Sequence, residues 1–140
     1  MENFKIKHGI ENMDINAVHK FLNKESYWAK GIPLEIVKAS LQNSFCAGIF
    51  LIDHQVAFAR LITDYATFAY LADVYVLPEY RGKGLSKALV SHILTQDFAI
   101  GLRRILLATA DAHSLYQKFG FAPPADPATL MEIKRNNIYN

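Results

Sequence analysis

The apolar positions of this chain change period several times. Phe4-Lys5-Ile6-Lys7 alternates and predicts a strand. Ile15, Val18 and Leu22 then recur at helical spacing behind Asp14, a residue suited to an N-cap. Leu34, Val37 and Leu41 repeat that spacing after Pro33, which fits a first helical turn. Residues 45–52 and 56–62 are apolar runs on either side of Asp53-His54-Gln55, which predicts a hairpin turning at those three residues. Residues 67–77 read as a third long strand. From 84 to 97, Leu85, Ala88, Leu89, His92 and Ile93 fall on one helical face. Residues 104–109 predict another strand, and 111–119 a helix that Asp111 caps, with Thr109 the alternative cap, and that Gly120 stops. Pro123, Pro124 and Pro127 mark a loop, after which residues 130–134 predict a closing strand. Strands followed by strand–helix–strand–helix give a mixed α+β sheet with helices on both faces.

Composition narrows the class. The 140 residues are 51% hydrophobic and 20% charged, which is the balance of one globular domain spanning 1–140. A net charge of +2 is too small to argue for nucleic acid, whose partners concentrate basic residues on one face. No apolar run approaches the ~20 residues of a membrane span, and Met-Glu-Asn-Phe-Lys carries no secretory apolar region. Cys46 is the single cysteine, so no internal disulfide forms and a reducing compartment fits. The expectation is a cytoplasmic protein.

The most informative stretch is Val-Tyr-Val-Leu-Pro-Glu-Tyr-Arg-Gly-Lys-Gly-Leu-Ser, residues 74–86. An apolar strand ends at Pro78, Arg81-Gly82-Lys83-Gly84 turns the chain, and a helix begins at Leu85. Backbone N–H groups of such a loop and of the helix start point at one place, and glycine lets a phosphate approach them closely. Arg81 and Lys83 add positive charge there. The tetrapeptide lacks the Gly-Lys-Ser/Thr ending of a Walker loop and the Gly-x-Gly-x-x-Gly of a dinucleotide fold.

The stretch resembles the acyl-CoA signature of the GNAT superfamily of N-acetyltransferases, Gln/Arg-x-x-Gly-x-Gly/Ala, here Arg81-x-x-Gly84-x-Ser86, with serine at the last position. Downstream, Leu115-Tyr116-Gln117-Lys118-Phe119-Gly120-Phe121 is similar to that family's Leu-Tyr-x-x-x-Gly-Phe. The resemblance covers residues 44–135 well and the first 43 loosely. It implies a central, mostly antiparallel sheet whose fourth and fifth strands splay to admit CoA. It also implies acetyl-CoA as cosubstrate, with its phosphates on the backbone of Arg81, Gly82, Lys83, Gly84, Leu85 and Ser86. The amide-rich pantetheine arm would pair with the strand edge at Val74, Tyr75 and Val76. Thr109 stands where the family often has asparagine, and its hydroxyl would bond the same arm.

Acetyl transfer from a thioester to an amine needs a neutral amine, donors for the developing oxyanion and a proton for the departing thiolate. Tyr116 is the candidate general acid: a phenol with a pKa of about 10 stays protonated at neutral pH and can donate to a thiolate of pKa about 8.5. A carboxylate inside the apolar strand 68–77 is unusual unless it faces a cleft or is paired, so Asp73 is the candidate base or amine anchor, with an ion pair as the competing role. Asp64, in Thr63-Asp64-Tyr65, is the reserve. Tyr27, Trp28 and Tyr70 are candidates for the acceptor pocket, beside which Asp73 would suit a cationic amine. His8, His19, His54, His92 and His113 show no metal-ligand spacing, and no metal is expected.

The reading is an N-acetyltransferase acting on a primary amine of a small molecule or peptide by direct attack. A non-catalytic acyl-CoA-binding or regulatory module on the same fold is the alternative. Neither nucleic acid nor membrane is expected as a partner, and a homodimer is compatible with the fold.

Overall fold

The computed structural model describes residues 3–140; the sequence reading of the N-terminal stretch falls partly on Met1 and Glu2, outside the described residues. One sheet forms the middle layer, its strands in the order β1 (Phe4–His8), β2 (Ser44–Leu51), β3 (His54–Thr63), β4 (Phe68–Val76) and β5 (Arg104–Leu106). The first four pair antiparallel in sequence order, and β5 runs parallel to β4. This is the mixed α+β architecture read from the sequence.

Two helices cover one face. α1 (Ile15–Lys24) starts where Asp14 accepts a hydrogen bond from Ala17 N–H at 3.1 Å, as its side chain predicts. α2 (Leu34–Gln42) begins directly after Pro33. Val18, Phe21, Leu22, Val37 and Leu41 pack on Cys46, Phe50, Phe58 and Tyr75. On the opposite face α3 (Leu85–Leu94) lays Leu85, Leu89, Val90 and Ile93 against Ala47, Ala57, Leu61 and Leu71. A short α4 (Asp97–Ile100) follows, and α5 (His113–Gln117) carries Tyr116 into the same core. Because both faces are covered, the middle of β2 is buried throughout, from Cys46 to Phe50.

Several local expectations need correction. The hairpin turns at Ile52-Asp53, so His54 and Gln55 belong to β3. Gln55 reads as a turn residue but is 1% exposed; its carbonyl accepts from Asp14 N–H at 2.8 Å and its amide donates to Ala57 O at 3.2 Å. A polar side chain whose bonds are all internal belongs in a core. The fifth strand is three residues long rather than six. Asp111 does not cap α5. The helix's N-cap position is Ala112, with no side-chain capping bond, and the Thr109 hydroxyl accepts from Ala112 N–H at 3.0 Å and Asp111 N–H at 3.4 Å in the turn before it. Residues 130–134 form no strand: three prolines interrupt the approach, and Tyr139 packs into the α1/α2 layer, drawing the tail away from β5.

Candidate active site

β4 and β5 pair only from Phe68–Arg104 to Tyr70–Leu106. Beyond that point β4 runs on to Val76 with no strand on its β5 side among the described residues, and the strands part. A cleft of about 1040 Å³ fills the gap, walled by β4, the loop leading into α3, residues 107–112 and α5, with Tyr27, Trp28 and Glu132 across the mouth.

The loop has the geometry its glycines predict. Gly82 and Gly84 have φ of +79° and +77°, a region that costs an L-residue roughly 1–2 kcal/mol. A Cβ built on either meets no atom within 4 Å, so both open onto free space. Gly84 is the N-cap of α3, placing the helix's unbonded N–H groups at the cleft. Arg81, Gly82, Gly84, Leu85 and Ser86 all line it; Lys83 sits in the same turn without forming its wall. Arg81 Nε donates to Val76 O at 3.1 Å, tying loop to strand end. These residues form a cradle that a side chain would fill, and it fits a pyrophosphate.

Along β4 the pairing with β3 slips: Ala72 faces Arg60 and Tyr75 faces Phe58, leaving Asp73 and Val74 opposite Ala59. Asp73, at this bulge, has φ +55°. Such a conformation persists in a non-glycine residue only where neighbours hold it. Arg60 Nε donates to Asp73 Oδ2 at 2.5 Å, and Trp28 Nε1 donates to Oδ1 at 2.7 Å. The pair is nearly enclosed, with side-chain exposures of 16% for Arg60 and 9% for Asp73. Arg60 also reaches Ser44 Oγ at 3.1 Å. Val74, Tyr75 and Val76 follow in the cleft wall, with Tyr75 stacked on Phe21 at 3.9 Å between ring centres.

Tyr116 lines the same cleft and is 8% exposed. Burial, with smaller contributions from Tyr27 and Asp111, pushes its hydroxyl above the usual phenol range, which keeps it protonated. Its ring meets Phe121 edge-on at 6.0 Å. Thr109 also lines the wall; its hydroxyl oxygen accepts from Ala112 N–H in the turn before α5, and its own proton remains available. Tyr27 and Trp28 pack edge to face at 4.9 Å and bridge the mouth: Trp28 binds Asp73 on β4, and Tyr27 Oη accepts from Ala110 N–H at 3.4 Å beyond β5. Tyr70 also faces the cleft.

Asp64 does not belong to this group. Its carboxylate accepts from Ala66, Thr67 and Phe68 N–H and from the Thr67 hydroxyl, bonds that close the β3–β4 turn and hold it well below the usual carboxylate range. Sequence reasoning missed Arg60, Glu25 and Glu132, all in the cleft wall. For Arg60 a signal existed: an arginine inside the apolar run 56–62 needs a buried anion, and Asp73 is the carboxylate in the adjoining strand. Among the described residues no group of three or more His, Cys, Asp or Glu is arranged to hold a metal ion.

The Acetyltransferase (GNAT) family model matches residues 15–121. The chain belongs to the GNAT family. That family transfers acetyl groups, and the splayed β4/β5 cleft is where the GNAT fold opens in this chain. A crystal structure of a protein from Xanthomonas campestris pv. campestris, assigned to the GNAT family, superposes with a TM-score of 0.95 at 47% identity, covering 99% of this chain and 98% of that one. The ycf52 protein of Pyropia yezoensis, an uncharacterised N-acetyltransferase, is 34% identical over 71% of this chain; the chain spans 60% of that protein. A GNAT-fold acetyltransferase from Clostridium acetobutylicum, solved with acetyl-CoA, shares the fold at a TM-score of 0.70 and 13% identity, over 94% of this chain and 96% of that one.

Proposed function

We propose that this chain is an N-acetyltransferase that moves the acetyl group of acetyl-CoA to a primary amine of a small molecule or peptide by direct attack. The observation that carries the reading is that one cleft holds both the open glycine cradle at Gly82 and Gly84 and the buried phenol of Tyr116.

Acetyl-CoA would supply an activated acyl group as a thioester. The chain's part is to bind, orient and handle protons. Arg81, Gly82, Lys83, Gly84, Leu85 and Ser86 hold the phosphates through backbone N–H groups and the α3 N-terminus. The unpaired β4 edge at Val74, Tyr75 and Val76 bonds the pantetheine amides as a neighbouring strand would, and Thr109 donates its hydroxyl proton to the same arm. N–H groups beside the bulge face charge that develops on the acyl oxygen. Tyr116 O–H gives its proton to the departing sulfur.

On the acceptor side, Tyr27, Trp28 and Tyr70 provide aromatic faces, and Asp73, Glu25, Asp111 and Glu132 contribute carboxylates, a lining that suits a cationic amine. Both Asp73 oxygens already accept hydrogen bonds, from Arg60 and Trp28, so Asp73 serves as an anchor, and the amine's proton leaves through water. The lone thiol, Cys46, is buried, and that burial pushes its pKa up to about 12.

A panel of primary amines, followed by release of the CoA thiol, tests the reading. Cys46 is too buried and too weakly acidic to contribute background. Turnover with at least one cationic amine supports it. Binding of acetyl-CoA without turnover on any amine in the panel favours the non-catalytic module instead.

A further inference from the structure

The main chain of residues 131–136 makes no hydrogen bond to another described residue. Both ends of that stretch are fixed. Leu130 N–H donates to Pro127 O at 3.1 Å on one side, and Tyr139 packs against the α1/α2 core on the other. The stretch between them is a tethered strap. Glu132, Ile133 and Lys134 of the strap line the cleft that holds the Gly82/Gly84 cradle and Tyr116. Ile133 is 85% exposed, so the strap lies along the open side of the cleft and is not packed into it.

Lys134 is the only lysine in that lining among the described residues. Its ammonium forms no ion pair among them, and it ends a flexible four-carbon stem. Glu25, Asp111 and Glu132 in the same wall favour a cation, and Tyr27 and Trp28 offer it aromatic faces. The chain therefore carries, at its own acceptor side, a primary amine among carboxylates and aromatic rings.

We propose, resting on the N-acetyltransferase reading above, that Lys134 is a site of self-acetylation within one molecule. Lys134 Nζ gives a proton to water and attacks the thioester carbonyl of acetyl-CoA. The N–C bond forms, the C–S bond breaks, and the departing sulfur takes the proton of Tyr116. The second amine proton passes through water to restore the phenol. A short tether holds the amine at a roughly millimolar local concentration, whatever the supply of free amines. The product is a neutral amide, so the strap loses its cation and the mouth keeps its carboxylates.

Intact mass and peptide mapping of the full chain, after incubation with acetyl-CoA alone, test this. One added acetyl group is expected at Lys134, at a rate per molecule that stays constant across a dilution series. Lys134→Arg keeps the charge and should gain no acetyl group. Tyr116→Phe should slow modification of Lys134 by ~10²-fold or more, while slow chemical acetylation of exposed lysines such as Lys5 and Lys87 stays as in the wild type. A productive free amine should slow it too, because both amines need the same place. Modification of Lys134 no faster than that of Lys5 or Lys87, a rate that scales with protein concentration, or a rate that Tyr116→Phe leaves unchanged overturns the proposal. The amine panel separates the two readings. Turnover of free amines with Lys134 unmodified removes self-acetylation and leaves the N-acetyltransferase; acetyl-CoA binding with neither free amines nor Lys134 acetylated removes both.

Discussion

Arg60 and Asp73 meet at 2.5 Å across neighbouring strands, directly at the bulge where β4 leaves β3's register. The ion pair and the bulge belong together. The slipped register brings Asp73 to a left-handed backbone conformation, and Arg60 and Trp28 hold its carboxylate there. The pair is nearly enclosed, so removing one member leaves the other charge without a match, which typically costs about 3 kcal/mol. Asp73→Asn is expected to lower the denaturation free energy by that order and to reduce kcat/KM for cationic amines. Restoring neutrality with Arg60→Met in the same chain should recover part of the stability but none of the activity. Equilibrium urea unfolding and steady-state kinetics read the two effects separately.

Trp28 is the single tryptophan of the chain and is 43% exposed at the cleft mouth. Its fluorescence is therefore a direct probe of the acceptor side. Titrating a productive amine into the protein should change the emission, and acetyl-CoA alone should change it less. Trp28→Phe keeps an aromatic face and loses the indole donor to Asp73, a hydrogen bond to a charged group worth about 1.5–3 kcal/mol. The expected kinetic result is a raised KM for the amine with acetyl-CoA affinity nearly unchanged, measured by calorimetry for the latter.

Gly84→Val introduces a side chain where φ is +77° and where no protein atom lies within 4 Å of the new Cβ. The backbone strain costs about 1–2 kcal/mol, since no collision inside the protein adds to it. The new side chain occupies the space assigned to the phosphates. Acetyl-CoA affinity, by calorimetry, should fall by well over the tenfold that a 1.4 kcal/mol loss represents, with the protein still folded.

Acid sensitivity should come first from His92. Its ring lies 3.0 Å from that of His8, nitrogen to nitrogen, and burial, with a smaller contribution from His8's charge, lowers its pKa. The unfolded chain then takes up a proton below about pH 6.5 that the folded chain refuses until lower pH, so stability is lost as pH falls through that window. The urea midpoint is expected to drop between about pH 7.5 and 5.5, above the range where carboxylates titrate. His92→Gln should flatten that dependence.

Much of this was legible in the sequence because the signals were local. The cap at Asp14, the start of α2 after Pro33, the strand–glycine loop–helix unit around Gly84 and the stop at Gly120 each depend on a few adjacent residues. What escaped depends on distant partners. Gln55 reads as a turn until Asp14 is seen to use its carbonyl. Asp73 leaves two roles open until Arg60 and Trp28 are placed beside it. The tail predicts a strand from its composition, yet strand formation needs an edge within reach, and Tyr139 fixes the tail elsewhere. Asp64, near the cleft in sequence, spends its carboxylate entirely on its own turn.

The central claim is that Tyr116 supplies the proton for the departing thiolate, and Tyr116→Phe tests it most directly by removing one oxygen from a ring that stays packed on Phe121. Because burial raises its pKa, the wild-type rate should show no falling limb below about pH 10. For the variant, kcat is expected to drop by ~10²-fold or more, while acetyl-CoA affinity and the melting temperature stay close to wild type. Turnover near the wild-type value in a folded Tyr116→Phe protein that still binds acetyl-CoA would contradict the account.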